Sequence, residues 1–290
     1  MNINKVSIAL DCKNLIGESC FWDSKENCLI WTDIEGKTIW KLDESNQSFK
    51  FNLPDRAGFI LPRKKDGFII GFPKFIAISN QNFSSFEKIC DVEVSIKKTR
   101  INDAKVDPYG GIVFGTYNED PDKLNRKPIA NLYRLAPDLS LTHLLSNITV
   151  SNGLAFSQKD NIMYFADTPT GRIQKFSYNQ DFKKLNELES NMIFKDVGEP
   201  DGATLDNNDN YWSARVRGNC IICIDTKNGK IIEKIDLPTS TPTCVTFGNS
   251  DLSCLYVTSL RADPINDSAD GNLYKIKTGT QGLKQLLADF

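Results

Sequence analysis

The 290-residue chain contains a single histidine, His143, in the polar segment SLTHLL. That scarcity weighs against Ser-His-Asp and Cys-His nucleophilic schemes, which need an imidazole to move a proton. It also excludes zinc sites built from several histidines, and His143 itself reads as a surface residue. No glycine-rich phosphate loop occurs. No run of about 18 apolar residues occurs either, so no membrane partner is expected. The N-terminus, MNINKVSIALDCKN, lacks the cationic start and apolar core of an export signal, which makes the cytoplasm the expected location. An excess of basic charge is missing too. Lys and Arg total 35 against 37 Asp and Glu, intermixed, for a net charge of -2. Nucleic acid is therefore not an expected partner.

Eight cysteines are present, but most lie inside apolar runs such as CLIW and CLYV, as expected of reduced, buried thiols. Cys220 and Cys223, in GNCIICID, fall on opposite faces if that segment is a strand, so they form no redox or zinc pair.

Six apolar runs dominate the sequence: CLIWTDI (28–34), GFIIGF (67–72), GIVFGTY (111–117), IMYFADT (162–168), YWSARV (211–216) and CLYVTSL (254–260). They are rich in β-branched and aromatic residues, show no helical period, and recur roughly every 40 to 50 residues. Each is preceded by a short strand-like element (ESCFWD, AGFILP, INDAKV, SNGLAF, DGATLD, PTCVTF) and followed by a turn and another strand. The expected fold is all-β: one six-bladed β-propeller of four-stranded blades filling residues 1–290. KVSIAL (5–10) is expected to close the last blade, because an open ring would leave sheet edges exposed. Two packed β-sandwiches are the alternative, and they do not account for so regular a repeat.

Counting ten positions back from the central run gives Glu18 from Cys28, Asn102 from Ile112, Asn152 from Ile162 and Asp201 from Tyr211; the other two blades give Gly58 and Cys244. Innermost propeller strands line the axis, so residues at one station converge there. Buried carboxylates and carboxamides without a partner are costly. A cation removes that cost, and all-oxygen ligation favours Ca²⁺, Mg²⁺ or Mn²⁺. Hydrogen bonding between blades is the plainer reading for any one of the four. Asp33, Asp167 and Asp206 are expected to organise strand ends and turns, or to support the residues of the axial site.

Several of these motifs resemble the regucalcin/gluconolactonase family, which includes senescence marker protein and luciferin-regenerating enzyme. The matching segments are GESCFWD, RIND (100–103), FGTY (114–117), SNGLAFS (151–157) and PDGATLD (200–206), in order along nearly the whole chain. Ser19-Cys20 and Ala104 depart from the family pattern. The resemblance implies a six-bladed propeller that hydrolyses sugar lactones with one divalent metal. By motif, Glu18, Asn152 and Asp201 correspond to metal ligands, and Arg100 and Asn102 to substrate contacts. Asp120 or its neighbour Glu119 falls at an acidic substrate contact. Zn²⁺ and Fe²⁺ join the candidate metals, and Asp201 is the expected general base. The expected partner is a small sugar lactone such as gluconolactone or a pentonolactone. Two other readings stay open: a metal-dependent phosphotriesterase or arylesterase, and a non-catalytic calcium- or sugar-binding propeller. Selectivity is expected to reside in the rim segments 72–100, 117–131 and 261–271.

Overall fold

The computed structural model describes residues 6–122, 125–261 and 269–290. These form six four-stranded antiparallel sheets. The six apolar runs are the second strands of the blades, from Cys28–Asp33 in blade 1 to Cys254–Ser259 in blade 6. They are continuous in apolar character because each is covered on both faces by neighbouring blades, as the burial of all six residues of Cys28–Asp33 shows. Cys220 and Cys223 point into different apolar clusters on the two faces of blade 5, and all eight cysteines are free thiols. Among the described residues no helix is long and apolar enough to cross a membrane.

The ring closes as expected. Val6–Leu10 pairs antiparallel with Leu273–Lys277, so the chain start supplies the outer strand of blade 6. Asp33 and Asp167, at the ends of equivalent strands, do matching work. Asp33 accepts Leu15 N and Ile16 N at 3.1 and 2.9 Å, and Asp167 accepts Thr149 N and Val150 N at 3.1 and 2.8 Å. Each carboxylate thereby fixes the backbone just ahead of its own blade's inner strand. Asp206 accepts Trp212 Nε1 at 3.1 Å and two backbone amides of its hairpin.

A feature without a sequence signal is the C-terminal tail. After Lys277 it runs across the hairpins that join inner and second strands, at the end of the axis opposite the inner-strand starts. Asn207 N donates to Gln281 O (2.8 Å), Gln158 Nε2 to Lys284 O (3.1 Å), Lys64 N to Ala288 O (2.8 Å) and Asp289 N to Gly110 O (2.8 Å). Ala288 and Phe290 are buried with Phe59, Ile101 and Phe114. The strap ties blades 2 to 6 and closes that end of the axis. Deleting residues 283–290 should lower Tm by roughly 10 °C, from about 4 kcal/mol of lost burial at Ala288 and Phe290 alone. A calorimetric scan with unchanged Tm would refute this.

Candidate active site

At the open end of the axis the inner strands carry β-bulges. The ladder register shifts between Glu18 and Phe21, Ile101 and Ala104, Asn152 and Ala155, Pro200 and Ala203, and Pro242 and Val245. A bulge sets two residues against one and re-aims side chains. Glu18 and Asn152 begin their bulges, whereas Asn102 and Asp201 sit one residue further in. The ten-residue count therefore lands on adjacent rungs in different blades, and all four side chains still line one cavity. After Glu18 and Asn152 the backbone turns left-handed, at Ser19 (φ 51°) and Gly153 (φ 66°). Ser19 holds this disfavoured conformation with a hydroxyl that donates to Ile60 O (3.2 Å) and accepts Ile60 N (3.0 Å).

The other two counted positions behave differently. Gly58 leaves no room for a ligand, since a Cβ there would stand 2.4 Å from Ile101 O. Cys244 packs with Cys20 in the apolar cluster between blades 6 and 1. Thr243, the bulge position matching Asn102 and Asp201, faces the cavity instead.

The cavity has a volume of about 510 Å³ and is lined by Glu18, Arg100, Asn102, Asn152 and Asp201, with apolar walls from Ile16, Ile34, Val150 and Leu260. One hydrogen-bonded chain spans blades 3 to 5. Arg100 Nη1 donates to Asn102 Oδ1 (2.6 Å), Asn102 Nδ2 to Asn152 Oδ1 (3.0 Å), Asn152 Nδ2 to Thr168 Oγ1 (2.8 Å) and Thr168 Oγ1 to Pro200 O (2.9 Å). This order fixes both amide orientations and leaves Asn152 Oδ1 a second lone pair for a ligand. Thr168 was not singled out by sequence, although it directly follows Asp167 in FADT.

Glu18 and Asp201 sit deep in this cavity, and neither forms an ion pair with Lys or Arg among the described residues. Burial, then the charge of Asp201, pushes the Glu18 carboxyl well above the usual carboxylate range. Burial, then the charge of Asp103, does the same to Asp201. Asp103 is a buried third carboxylate, unmarked by the sequence reading, that accepts Leu154 N at 3.2 Å. Among the described residues no three His, Cys, Asp or Glu side chains converge as a metal cluster. The donor set is mixed: two carboxylates and an amide oxygen. Two unneutralised carboxylates beside a free amide lone pair fit a hard divalent cation, whose charge would offset the cost of burying them.

Asp120 does not line the cavity. Its carboxylate pairs with Lys98 at 2.7 Å, and its carbonyl accepts Arg126 Nε and Nη2. Glu119 does not line the cavity either, but it stands behind a residue that does: its Oε1 lies 3.3 Å from Arg100 Nε, and both its oxygens accept from Arg56. His143 is exposed on an outer strand, away from the site. Of the expected rim, segment 117–131 contributes Tyr117 and Arg126, while 72–100 contributes only Arg100. Residues 123–124 and 262–268 of the expected rim lie outside the described residues.

Fold and site together define a class: a six-bladed β-propeller with an axial polar cavity suited to a divalent cation. The chain belongs to the SMP-30/gluconolactonase/LRE-like family, whose model matches residues 16–261. It is 31% identical to regucalcin of Danio rerio over 263 residues, covering 89% of this chain and 88% of that one. It is 30% identical to the 6-deoxy-6-sulfogluconolactonase of Pseudomonas putida over 250 residues, covering 86% and 84%. The solved structure of a luciferin-regenerating enzyme superposes with a TM-score of 0.92 at 28% identity, covering 99% of this chain and 100% of that one. Its relatives thus include sugar lactonases.

Proposed function

We propose that the chain hydrolyses sugar lactones to aldonic acids, using a divalent cation held by Glu18, Asn152 and Asp201. The observation that carries this reading is the meeting of those three side chains, from three blades, with Arg100 and Asn102 in one cavity. Sugar-lactonase relatives, the Pseudomonas putida enzyme among them, support it. When bound, the cation would supply Lewis-acid polarisation of the lactone carbonyl.

The chain's own groups account for the rest. Asp201 lines the cavity beside Glu18 and Asn152 and is placed to take a proton from an attacking water, whose acidity a bound cation would raise. Asn102 Nδ2 donates to both Ser151 O and Asn152 Oδ1, so what remains to it is a lone pair on Oδ1, which can accept from a sugar hydroxyl. Arg100 is anchored by Ile101 O and Asn102 Oδ1, so its guanidinium is positioned before substrate arrives. Of the two acidic candidates, Glu119 rather than Asp120 bears on substrate, through Arg100 beside it.

A pH-indicator assay on a lactone panel, with paraoxon alongside, tests the reading. Proton release from aldonolactones should stop on exhaustive chelation and return with added divalent metal. Full activity after chelation would sink the cation assignment. Silence on every lactone combined with tight Ca²⁺ binding would favour a binding module. Glu18→Gln should weaken cation affinity at least about tenfold, measured by titration calorimetry.

A further inference from the structure

The charges around the cavity pair off with one exception. Arg217 is paired with Glu199. Arg100 has Glu119 at 3.3 Å. Glu18 and Asp201 are the carboxylates assigned to the cation. Arg126 is left over. It lines the cavity and is half-buried, and no carboxylate of the described residues lies within ion-pair distance of it.

Arg126 is nevertheless held in place. Its Nε and Nη2 both donate to Asp120 O, at 3.0 and 2.7 Å. Its guanidinium carbon stands 4.7 Å from the centroid of the Tyr117 ring, and that of Arg100 stands at the same distance. Both residues that orient Arg126 are themselves fixed: Asp120 by Lys98, and Tyr117 by its strand position opposite Arg100. The carbonyl and the ring orient the guanidinium; the Asp120 carboxylate feels its charge but is held by Lys98 and makes no ion pair with it. Nη1 accordingly has no hydrogen-bond partner among the described residues. A full positive charge with a free donor, immobilised at the wall of a cavity, is a preorganised receptor for an oxyanion.

We infer that this site takes lactones bearing a fixed negative charge, a phosphate, sulfonate or carboxylate on the sugar, and that Arg126 receives that group. The inference rests on the lactonase reading for its substrate scaffold but not for its binding chemistry. A charge-assisted hydrogen bond of this kind should favour the charged substrate about 10- to 100-fold.

The test compares 6-phosphoglucono-1,5-lactone with glucono-1,5-lactone on the cation-loaded wild type, Arg126→Met and Arg126→Lys. The ratio of kcat/KM values should favour the phosphorylated lactone at least tenfold in the wild type, fall towards one in Arg126→Met, and be partly kept in Arg126→Lys. A parallel titration measures binding of 6-phosphogluconate and gluconate to the same proteins. Equal kcat/KM in the wild type overturns the inference, as does a preference that survives Arg126→Met. If no lactone is hydrolysed, yet 6-phosphogluconate binds tighter than gluconate only when residue 126 is basic, the receptor stands and the lactonase reading falls. Neither hydrolysis nor selective binding overturns both.

Discussion

Asp201→Ala should lower kcat/KM for lactone hydrolysis by about 10³ or more while leaving the propeller folded. The fold should survive because Asp201 stabilises nothing by its charge in the cation-free protein. It is buried, it faces Glu18, and its carboxyl is held well above the ordinary range by burial and by Asp103. A carboxyl whose folded-state pKa is raised favours folding only while protonated. As pH climbs from the ordinary carboxylate range through the raised folded value, the unfolded chain ionises first and that contribution is lost. The cation-free wild type should therefore lose stability over that interval, and Asp201→Ala should show a flatter profile. In neutral buffer without cation, the variant's Tm should equal or exceed the wild type's. Added divalent cation should raise Tm in the wild type, because it binds only the folded site, and far less in the variant. A variant with near-normal turnover would remove Asp201 from the chemistry. A variant with lost activity, a low cation-free Tm and an intact cation response would make its role structural.

The site was legible from spacing only to within one residue, and the reason is the bulge. Glu18 and Asn152 open their bulges, Asn102 and Asp201 lie inside theirs, and a hairpin one residue longer in blades 3 and 5 than in blade 1 masks the offset. In blade 6 the same offset matters: the count selects Cys244, and the cavity receives Thr243. Second strands were legible because burial on both faces demands unbroken apolar runs. Outer strands were weaker signals, since Ser48–Asn52 and Leu185–Ile193 are largely exposed and carry mixed polarity. Arg126 and the C-terminal strap left no pattern to read. Both act through backbone carbonyls, as in the bonds of Arg126 to Asp120 O and of Lys64 N to Ala288 O, and a carbonyl is the same in every residue.

Backbone amides and one buried ion pair set a second stability effect outside the site, as large as that of the strap. Asp107, in the hairpin DPYGG of blade 3, has a side chain with 0% exposure, and Arg134 on the third strand has 7%. Asp107 Oδ2 accepts Arg134 Nε at 2.7 Å, while Oδ1 accepts Tyr109 N at 2.7 Å and Gly111 N at 3.2 Å. The guanidinium also lies over Phe182, 4.6 Å from the ring centroid. Asp107→Ala removes the partner and leaves Arg134 charged and buried, with two hairpin amides unpaired. Breaking a buried pair from one side costs about 3–5 kcal/mol, whereas replacing both partners with apolar groups can be nearly neutral. In a chain of this size the single variant should lose roughly 10 °C of Tm. Arg134→Met in the Asp107→Ala background should recover part of the loss, and the double-mutant cycle isolates the coupling between the two side chains. The hairpin sits at the strap end of the axis, where Gly110 O accepts Asp289 N, so turnover per folded molecule should not change. A single variant within 1 kcal/mol of wild type by denaturant titration would show that Arg134 finds water when Asp107 is gone, and that this ion pair does not hold blade 3 together.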